Sequence, residues 1–163
     1  MTGFVAYPDP RLAAAATPAD GVDDALRAIG DRLLAVAVSS NAFGLAAAHL
    51  GDVAPVVVVN DDSAPGQRRL LFNPRVVAVA ETLEKGEEGS VSLPGVRAEI
   101  ARPVWADIAF MDGAGTPMTL RFEGFAARVA LHEIEQMQGT FFLDRLSRLK
   151  RDMVLKKARK VAG

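Results

Sequence analysis

The chain has 163 residues, half of them hydrophobic, and a formal net charge of −1. That length and apolar content predict one domain, residues 1–163, with a sizeable core, and the near-neutral charge gives no general preference for DNA or for a membrane surface. The absence of cysteine excludes disulfides, thiolate catalysis and thiolate metal ligands. No apolar run approaches the roughly 18 residues of a membrane span, and the first residues lack a secretion signal, so we expect a cytoplasmic protein.

The first half of the chain is predicted to contain an extended arm, a helix and strands. Prolines 8 and 10 predict a turn within the arm, residues 1–16. Apolar residues recur at helical spacing over 22–38 and predict an amphipathic helix. Residues 55–60 and 76–83 are typical of strands, and 61–67 of a polar turn.

The second half begins with the sequence GEEGSVSLPG at 86–95, whose glycine content favours an irregular, shaped loop. Residues 104–111 and 117–122 then predict two strands, and the glycine-rich segment between them, 112–115, predicts a hairpin turn. Strands dominate the middle of the chain, whereas helices occupy its ends and its core. This order is typical of the α+β class.

The end of the chain is strongly basic. Residues 144–163 contain eight basic and two acidic side chains, so this tail carries +6 and the remainder −7. Ser147 is a suitable cap for a final helix with Leu149, Met153 and Val154 facing inward and the basic residues outward. Such an asymmetry can indicate contact with an anionic partner, although a solvated basic helix face is commonplace.

Residues 124–139 read GFAARVALHEIEQMQG, and their apolar side chains point in most directions around a helix. We therefore expect a mostly buried helix. Within it lie His132 and Glu133, whose burial costs several kcal/mol unless another group pairs with them. This cost marks the helix as the place to look for function.

His132, Glu133 and Gln136 fall one residue short of the zinc signature H-E-x-x-H. In that signature two histidines four residues apart share a helix face and bind the metal, while the glutamate acts on bound water. A glutamine amide is a neutral and weak zinc ligand, so this segment alone indicates a metal site that was lost or rebuilt. The simpler interpretation is a core histidine with an ordinary carboxylate neighbour.

Three segments in chain order extend the comparison: FGLAAAH at 43–49, EGSVS at 88–92 and LHEIEQMQG at 131–139. They resemble the motifs of the peptide deformylases, G-φ-G-φ-A-A-x-Q, E-G-C-φ-S and Q-H-E-x-D-H-φ-x-G, where φ is apolar. The early PDPRL, the FNP at 72–74 and the PGVR at 94–97 match as well, so the resemblance covers essentially the whole chain. It implies an α+β fold of the peptide deformylase type, with mixed and antiparallel sheets around a central buried helix and helices near both ends.

In that family, ferrous iron or zinc is held by the motif-two cysteine and by two motif-three histidines. The helix glutamate is the general acid and base for metal-bound water, which attacks the formyl group of the initiator methionine. Carried over by position, the resemblance implies Glu133 as the general acid and base, His49 and Val91 at the oxyanion positions, Gly44 and Arg97 at the substrate, and His132, Ser90 and Gln136 at the metal positions.

The sequence departs from the family pattern at the positions that bind the metal and stabilise the oxyanion. Ser90 replaces the cysteine ligand, Gln136 replaces the second histidine, and His49 replaces the oxyanion glutamine. A four-ligand structural zinc site contributes about 10 to 16 kcal/mol, so weakening two ligands costs on the order of 5 to 8 kcal/mol, or about 10⁴- to 10⁶-fold in affinity. We therefore expect no metal cofactor, with Fe²⁺ or Zn²⁺ present only if the site still functions.

Three interpretations follow from this resemblance. The first is a pseudoenzyme, a deformylase-like protein without N-formylmethionine deformylase activity, whose groove binds a peptide or a small acyl ligand or serves only as a scaffold. The second is an amide hydrolase, built either on a rearranged metal site of His49 and His132 with Glu133 or Glu135, or on Ser90 as nucleophile with His132 as base. The third is a ribosome-associated protein, since deformylases dock on the ribosome through a similar basic C-terminal helix. The orientation of His49, the ligand, the oligomeric state and the presence of metal stay open at this level.

Overall fold

The computed structural model describes residues 3–61 and 67–162 of the chain. Most of the polar turn predicted at 61–67 lies outside these residues. None of the described helices is both long enough and apolar enough to cross a membrane.

The described residues form three α-helices, seven strands and three short 3₁₀ turns. In chain order they are a 3₁₀ turn at Pro10–Ala13, α1 at Asp24–Ser40, β1 at Gly44–Ala46, a 3₁₀ turn at Ala47–Leu50, β2 at Val56–Asn60, β3 at Arg68–Val79, β4 at Leu83–Ser90, β5 at Leu93–Pro103, β6 at Trp105–Met111, β7 at Pro117–Glu123, α2 at Gly124–Met137, a 3₁₀ turn at Phe142–Arg145, and α3 at Arg148–Ala162.

Two antiparallel sheets surround α2. One has five strands in the order β1-β2-β3-β6-β7, and the other is the β4-β5 hairpin. Every pairing between described strands is antiparallel. Ten of the 14 residues of α2 are buried, so the predicted α+β fold with a central buried helix is confirmed.

Strand β2 is buried on both faces, which explains its uninterrupted run of valines. Val57 and Val59 pack in the cluster that contains α2, whereas Val56 and Val58 pack with Leu33 of α1. Successive strand residues point to opposite faces, so a strand between two helices needs apolar side chains at every position.

Helix α1 confirms the helix predicted at 22–38, shifted by two residues. Its cap is Asp23, whose carboxylate accepts a hydrogen bond from Leu26 N–H at 2.8 Å. It ends at Asn41, which has a left-handed φ of 55°. Asparagine tolerates that conformation better than most residues, which makes it a good helix terminator.

The prediction of a loop at 86–95 was wrong, because most of this segment lies in the strands of the β4-β5 hairpin, whose register shifts between Glu88 and Ser90. The β4-β5 ladder runs from Leu83 opposite Pro103 to Glu88 opposite Ala98. Two of the glycines make close contacts, since a Cβ on Gly86 would lie 2.9 Å from Arg128 Cζ and one on Gly89 would lie 3.1 Å from Val96 O. Gly95 instead has a left-handed φ of 80°. The glycine content therefore indicated close contacts at two positions and a left-handed backbone at the third.

Helix α3 is oriented differently from the prediction. Leu149 and Met153 are 71% and 63% exposed, whereas Val154, Leu155 and Ala158 pack on the cluster that includes β5. The cap was predicted correctly, since Ser147 Oγ accepts a hydrogen bond from Lys150 N–H at 3.2 Å. Of the three residues expected to face inward, the structure supports Val154.

Candidate active site

A cleft of about 470 Å³ opens between β1, the β4-β5 hairpin and one face of α2. Most of the predicted site residues line it, and they come from all three motifs and from the PGVR segment: Gly44, His49, Ser90, Val91, Arg97, His132 and Glu133. Gln136 is 1% exposed and points elsewhere, since its amide nitrogen donates to Leu12 O at 2.6 Å. The structure thus brings seven of the eight predicted residues together in the cleft. The eighth, Gln136, does not line it, and its amide nitrogen is bonded to Leu12 O.

His132 is fixed by a carboxylate behind it. Its Nδ1 lies 2.8 Å from Glu88 Oε1, so Nδ1 carries the proton and Nε2 is the nitrogen left for other contacts. Burial opposes the charged imidazolium, but attraction to Glu133 and the hydrogen bond with Glu88 outweigh it and raise the pKa of His132.

Glu88 is the centre of a buried ion network that the sequence did not predict. Arg102 donates to it twice, through Nε at 2.7 Å and Nη2 at 2.9 Å. Arg128 Nη1 donates to its second oxygen at 2.8 Å. Burial alone would raise the pKa of Glu88, but the hydrogen bonds from Arg102 and His132 dominate and lower it to about 2. A permanent carboxylate therefore orients His132.

Glu133 lies on the cleft side of α2 and is 6% exposed. Burial raises its pKa to about 7, because the charged form loses its water. Its Oε1 has no hydrogen-bond partner among the described residues. Gly44 leaves room for this side chain, since a Cβ there would lie 3.0 Å from Glu133 Cγ and 2.5 Å from a methyl group of Val129.

His49 lies in the cleft wall as a neutral imidazole. Its Nδ1 accepts a hydrogen bond from Ala46 N–H at 3.0 Å, so the ring proton is on Nε2. Burial, and then repulsion from His132, lower the pKa of His49 to about 3. Within the described part of the chain Nε2 has no partner. His49 therefore offers an N–H donor in the cleft wall, which is compatible with its oxyanion position.

The Ser90 hydroxyl forms a hydrogen bond within its own turn. Its Oγ accepts a hydrogen bond from Ser92 N–H at 3.1 Å, and among the described residues it has no hydrogen bond with His132. The Ser90–His132 pair considered as a nucleophile and base is therefore not formed in this arrangement.

The rearranged metal site also lacks support from the geometry. Glu135 is directed to cations, with its carboxylate 2.9 Å from Arg102 Nη1 and in contact with Arg145. Among residues 3–61 and 67–162, no group of three histidine, aspartate or glutamate side chains could hold a metal ion.

The family's own metal set fits these residues poorly. Of the three ligand positions, His132 alone keeps a strong donor atom for iron or zinc. Ser90 offers a neutral hydroxyl, and Gln136 offers an amide whose nitrogen is bound to Leu12. Neutral oxygen atoms are weak replacements for a thiolate and an imidazole at a transition metal.

Two further features of the cleft were missed from the sequence. Phe43 and Phe125 are 57% and 48% exposed, and their rings pack edge to face with centroids 5.0 Å apart. The pair gives the cleft an exposed apolar surface. Arg128 reaches into the cleft wall from α2. The helical spacing of Arg128 and His132, four residues apart, was the available signal for the arginine.

The chain belongs to the polypeptide deformylase family, whose model matches residues 1–152. A peptide deformylase-like protein of Brucella melitensis is 38% identical over 158 residues, covering 97% of this chain and 96% of the relative. A peptide deformylase of Mesorhizobium japonicum is 34% identical over 162 residues, covering 98% and 92%. The crystal structure of peptide deformylase from Ehrlichia chaffeensis has a TM-score of 0.88 at 28% identity and covers 98% of this chain and 96% of its own.

Proposed function

We propose that this member of the family binds a peptide or a small acyl ligand in its cleft and lacks metal-dependent N-formylmethionine deformylase activity. The supporting observation is the chemistry of the side chains at two of the family's three metal-ligand positions. Ser90 and Gln136 supply neutral groups in place of a thiolate and an imidazole, and both groups bond within the protein. The expected loss of about 10⁴- to 10⁶-fold in metal affinity leaves the site empty at ordinary metal levels.

The walls of the cleft suit an amide or acyl group. His49 Nε2–H is a buried donor without a partner among the described residues, so a ligand carbonyl oxygen would satisfy it. The exposed ring pair of Phe43 and Phe125 offers an apolar surface to the ligand's side chains. A neutral acylated peptide end combines both features.

Amide hydrolysis is the second candidate, and Glu133 is the residue that favours it. A carboxyl whose pKa is about 7 can exchange protons near neutral pH, which is what general acid–base catalysis requires. If the protein is an amide hydrolase, its hydrolytic activity should depend on Glu133 even though the family's cysteine and second histidine ligands are absent.

The test combines element analysis with a hydrolysis assay on chain purified without chelator. We expect no stoichiometric iron or zinc and no release of formate from a formylated tripeptide, together with measurable binding of that peptide. Tight, stoichiometric metal with hydrolysis that disappears in Glu133→Gln would overturn the proposal. Metal-free hydrolysis that disappears in the same variant would establish the second candidate instead.

The outer face of α3 supports a separate partner proposal. Leu149 and Met153 are exposed among basic side chains, and an apolar and cationic surface suits a ribosome. We predict co-sedimentation with ribosomes that weakens with salt and is lost on truncation after Ser147. Retention of binding in the truncated chain would contradict it. The cytoplasmic location likewise stays a prediction.

A further inference from the structure

Arg128 connects α2 to both strands of the β4-β5 hairpin. Its Nη1 donates to Glu88 Oε2 and to Ile100 O, each at 2.8 Å, and its Nη2 donates to Glu84 O at 2.7 Å. The side chain is 12% exposed. The guanidinium is planar, and its N–H groups point in fixed directions, so several acceptors around it restrict its movement. This part of the cleft wall is therefore rigid.

Gly86 makes this position possible. A Cβ on Gly86 would lie 2.9 Å from Arg128 Cζ and 3.0 Å from its Nε and Nη2, so any side chain there would collide with the guanidinium. The arginine thus occupies space that a larger residue in β4 would fill.

The same guanidinium lies between two cavities. The main cleft has a volume of about 470 Å³, and a neighbouring cavity beside Gly86 and Val104 has about 330 Å³. Arg128 lines both, together with Glu87 and Phe125. These three residues therefore form the partition that ends the main cleft on this side.

We propose that Arg128 determines ligand specificity by closing the cleft, so that the ligand group facing the partition is a short side chain such as that of alanine. This inference rests on the ligand-binding function proposed above and names its ligand class: an acylated peptide whose first side chain is small.

The physical reason is the cost of moving the arginine. A long apolar side chain would have to displace the guanidinium from Glu88 and from three backbone oxygens, which would leave buried polar groups without partners. A short side chain leaves those bonds intact. Without the arginine, the two cavities join and a long apolar side chain gains a place to be buried.

The experiment uses two N-formyl tripeptides that differ only in their first residue, alanine or methionine, titrated calorimetrically against the full chain. The unchanged protein is expected to bind the alanine peptide about tenfold more tightly, and Arg128→Ala is expected to reverse that preference by a similar factor. Arg128→Met, which fills the space but makes none of the hydrogen bonds that hold the arginine, is expected to lose most of the preference for alanine. It therefore separates the effect of the hydrogen bonds from that of volume.

Equal affinity of the unchanged protein for both peptides overturns the inference, as does a folded Arg128→Ala variant that still prefers alanine. If Arg128→Ala does not fold, the unchanged protein and Arg128→Met decide the outcome. Failure of both peptides to bind any folded variant contradicts the proposed ligand-binding function itself. Binding without a size preference contradicts only the role of Arg128.

Discussion

A chain carrying both Ser90→Cys and Gln136→His is expected to retain stoichiometric Fe²⁺ or Zn²⁺, which the unchanged chain is not. The two substitutions return a thiolate and an imidazole to the positions that correspond to the family's ligands. Each ligand of a structural zinc site is worth roughly 3 to 4 kcal/mol, so the pair should raise metal affinity by about 10⁴- to 10⁶-fold.

The surroundings of His132 support this expectation. Its Nδ1 is bound to Glu88, which Arg102 and Arg128 hold in its ionised form. Such a carboxylate behind a histidine fixes the tautomer in which Nε2 is available as a ligand. The remaining histidine is therefore still oriented as a metal ligand would need to be.

The measurement is metal content after dialysis against a weak chelator, with both single variants as controls. Ser90→Cys alone and Gln136→His alone should each bind metal far more weakly than the pair. Glu133→Gln added to the double variant should keep the metal but abolish any formyl-peptide hydrolysis it gains. A double variant that is folded and metal-free would show that the scaffold no longer places these positions around one ion.

Glu88→Gln is expected to reduce the free energy of unfolding by about 3 kcal/mol. Removing one member of a buried ion pair costs about 3 to 5 kcal/mol, because its partner is left buried without a counter-charge. Arg102 is 1% exposed and would lose its counter-charge and one of its two hydrogen bonds at residue 88, because the glutamine amide keeps only one acceptor oxygen. It would keep its ion pair with Glu135 at 2.9 Å, which places the loss at the lower end of that range.

Glu88 also makes the free energy of unfolding depend on pH in the acidic range. The pKa of Glu88 is lowered in the folded chain from 4.5 to about 2. A carboxyl of this kind contributes its full stabilisation above pH 4.5, and the contribution is lost as the pH falls through about 2. In this window the unchanged protein should lose stability with a slope that includes about 1.4 kcal/mol per pH unit from Glu88, which Glu88→Gln lacks.

Urea unfolding at pH 7 and across this acidic window measures both effects. Asp107→Asn is the matched control, since Asp107 also receives two hydrogen bonds from one arginine, Arg121, but on the protein surface. Surface pairs contribute little, so its variant should unfold close to the unchanged protein. Similar unfolding curves for Glu88→Gln and the control would show that the buried network does not stabilise the fold.

The sequence predicted the elements whose pattern is local. Apolar periodicity was sufficient for α1 and for the burial of α2, and the glycines at 112–115 were sufficient for the hairpin between β6 and β7. His132, Glu133 and Ser90, which the family motifs singled out, line one cleft. The glycine-rich segment at 86–95 misled the prediction, because Gly86 and Gly89 make room for Arg128 and for Val96 O inside a hairpin.

By itself, the sequence determined the family and the α+β class, and it singled out side chains that line the cleft, since these follow from short-range periodicity and from residue identity at motif positions. The tertiary structure alone decided how those side chains are bonded. Arg128 and Glu88 are 40 residues apart and Gln136 and Leu12 are 124 apart, yet each pair shares a hydrogen bond. A hydrogen bond requires an approach within about 3 Å and a suitable angle. Such geometry exists only after the helix, the hairpin and the N-terminal arm have packed together.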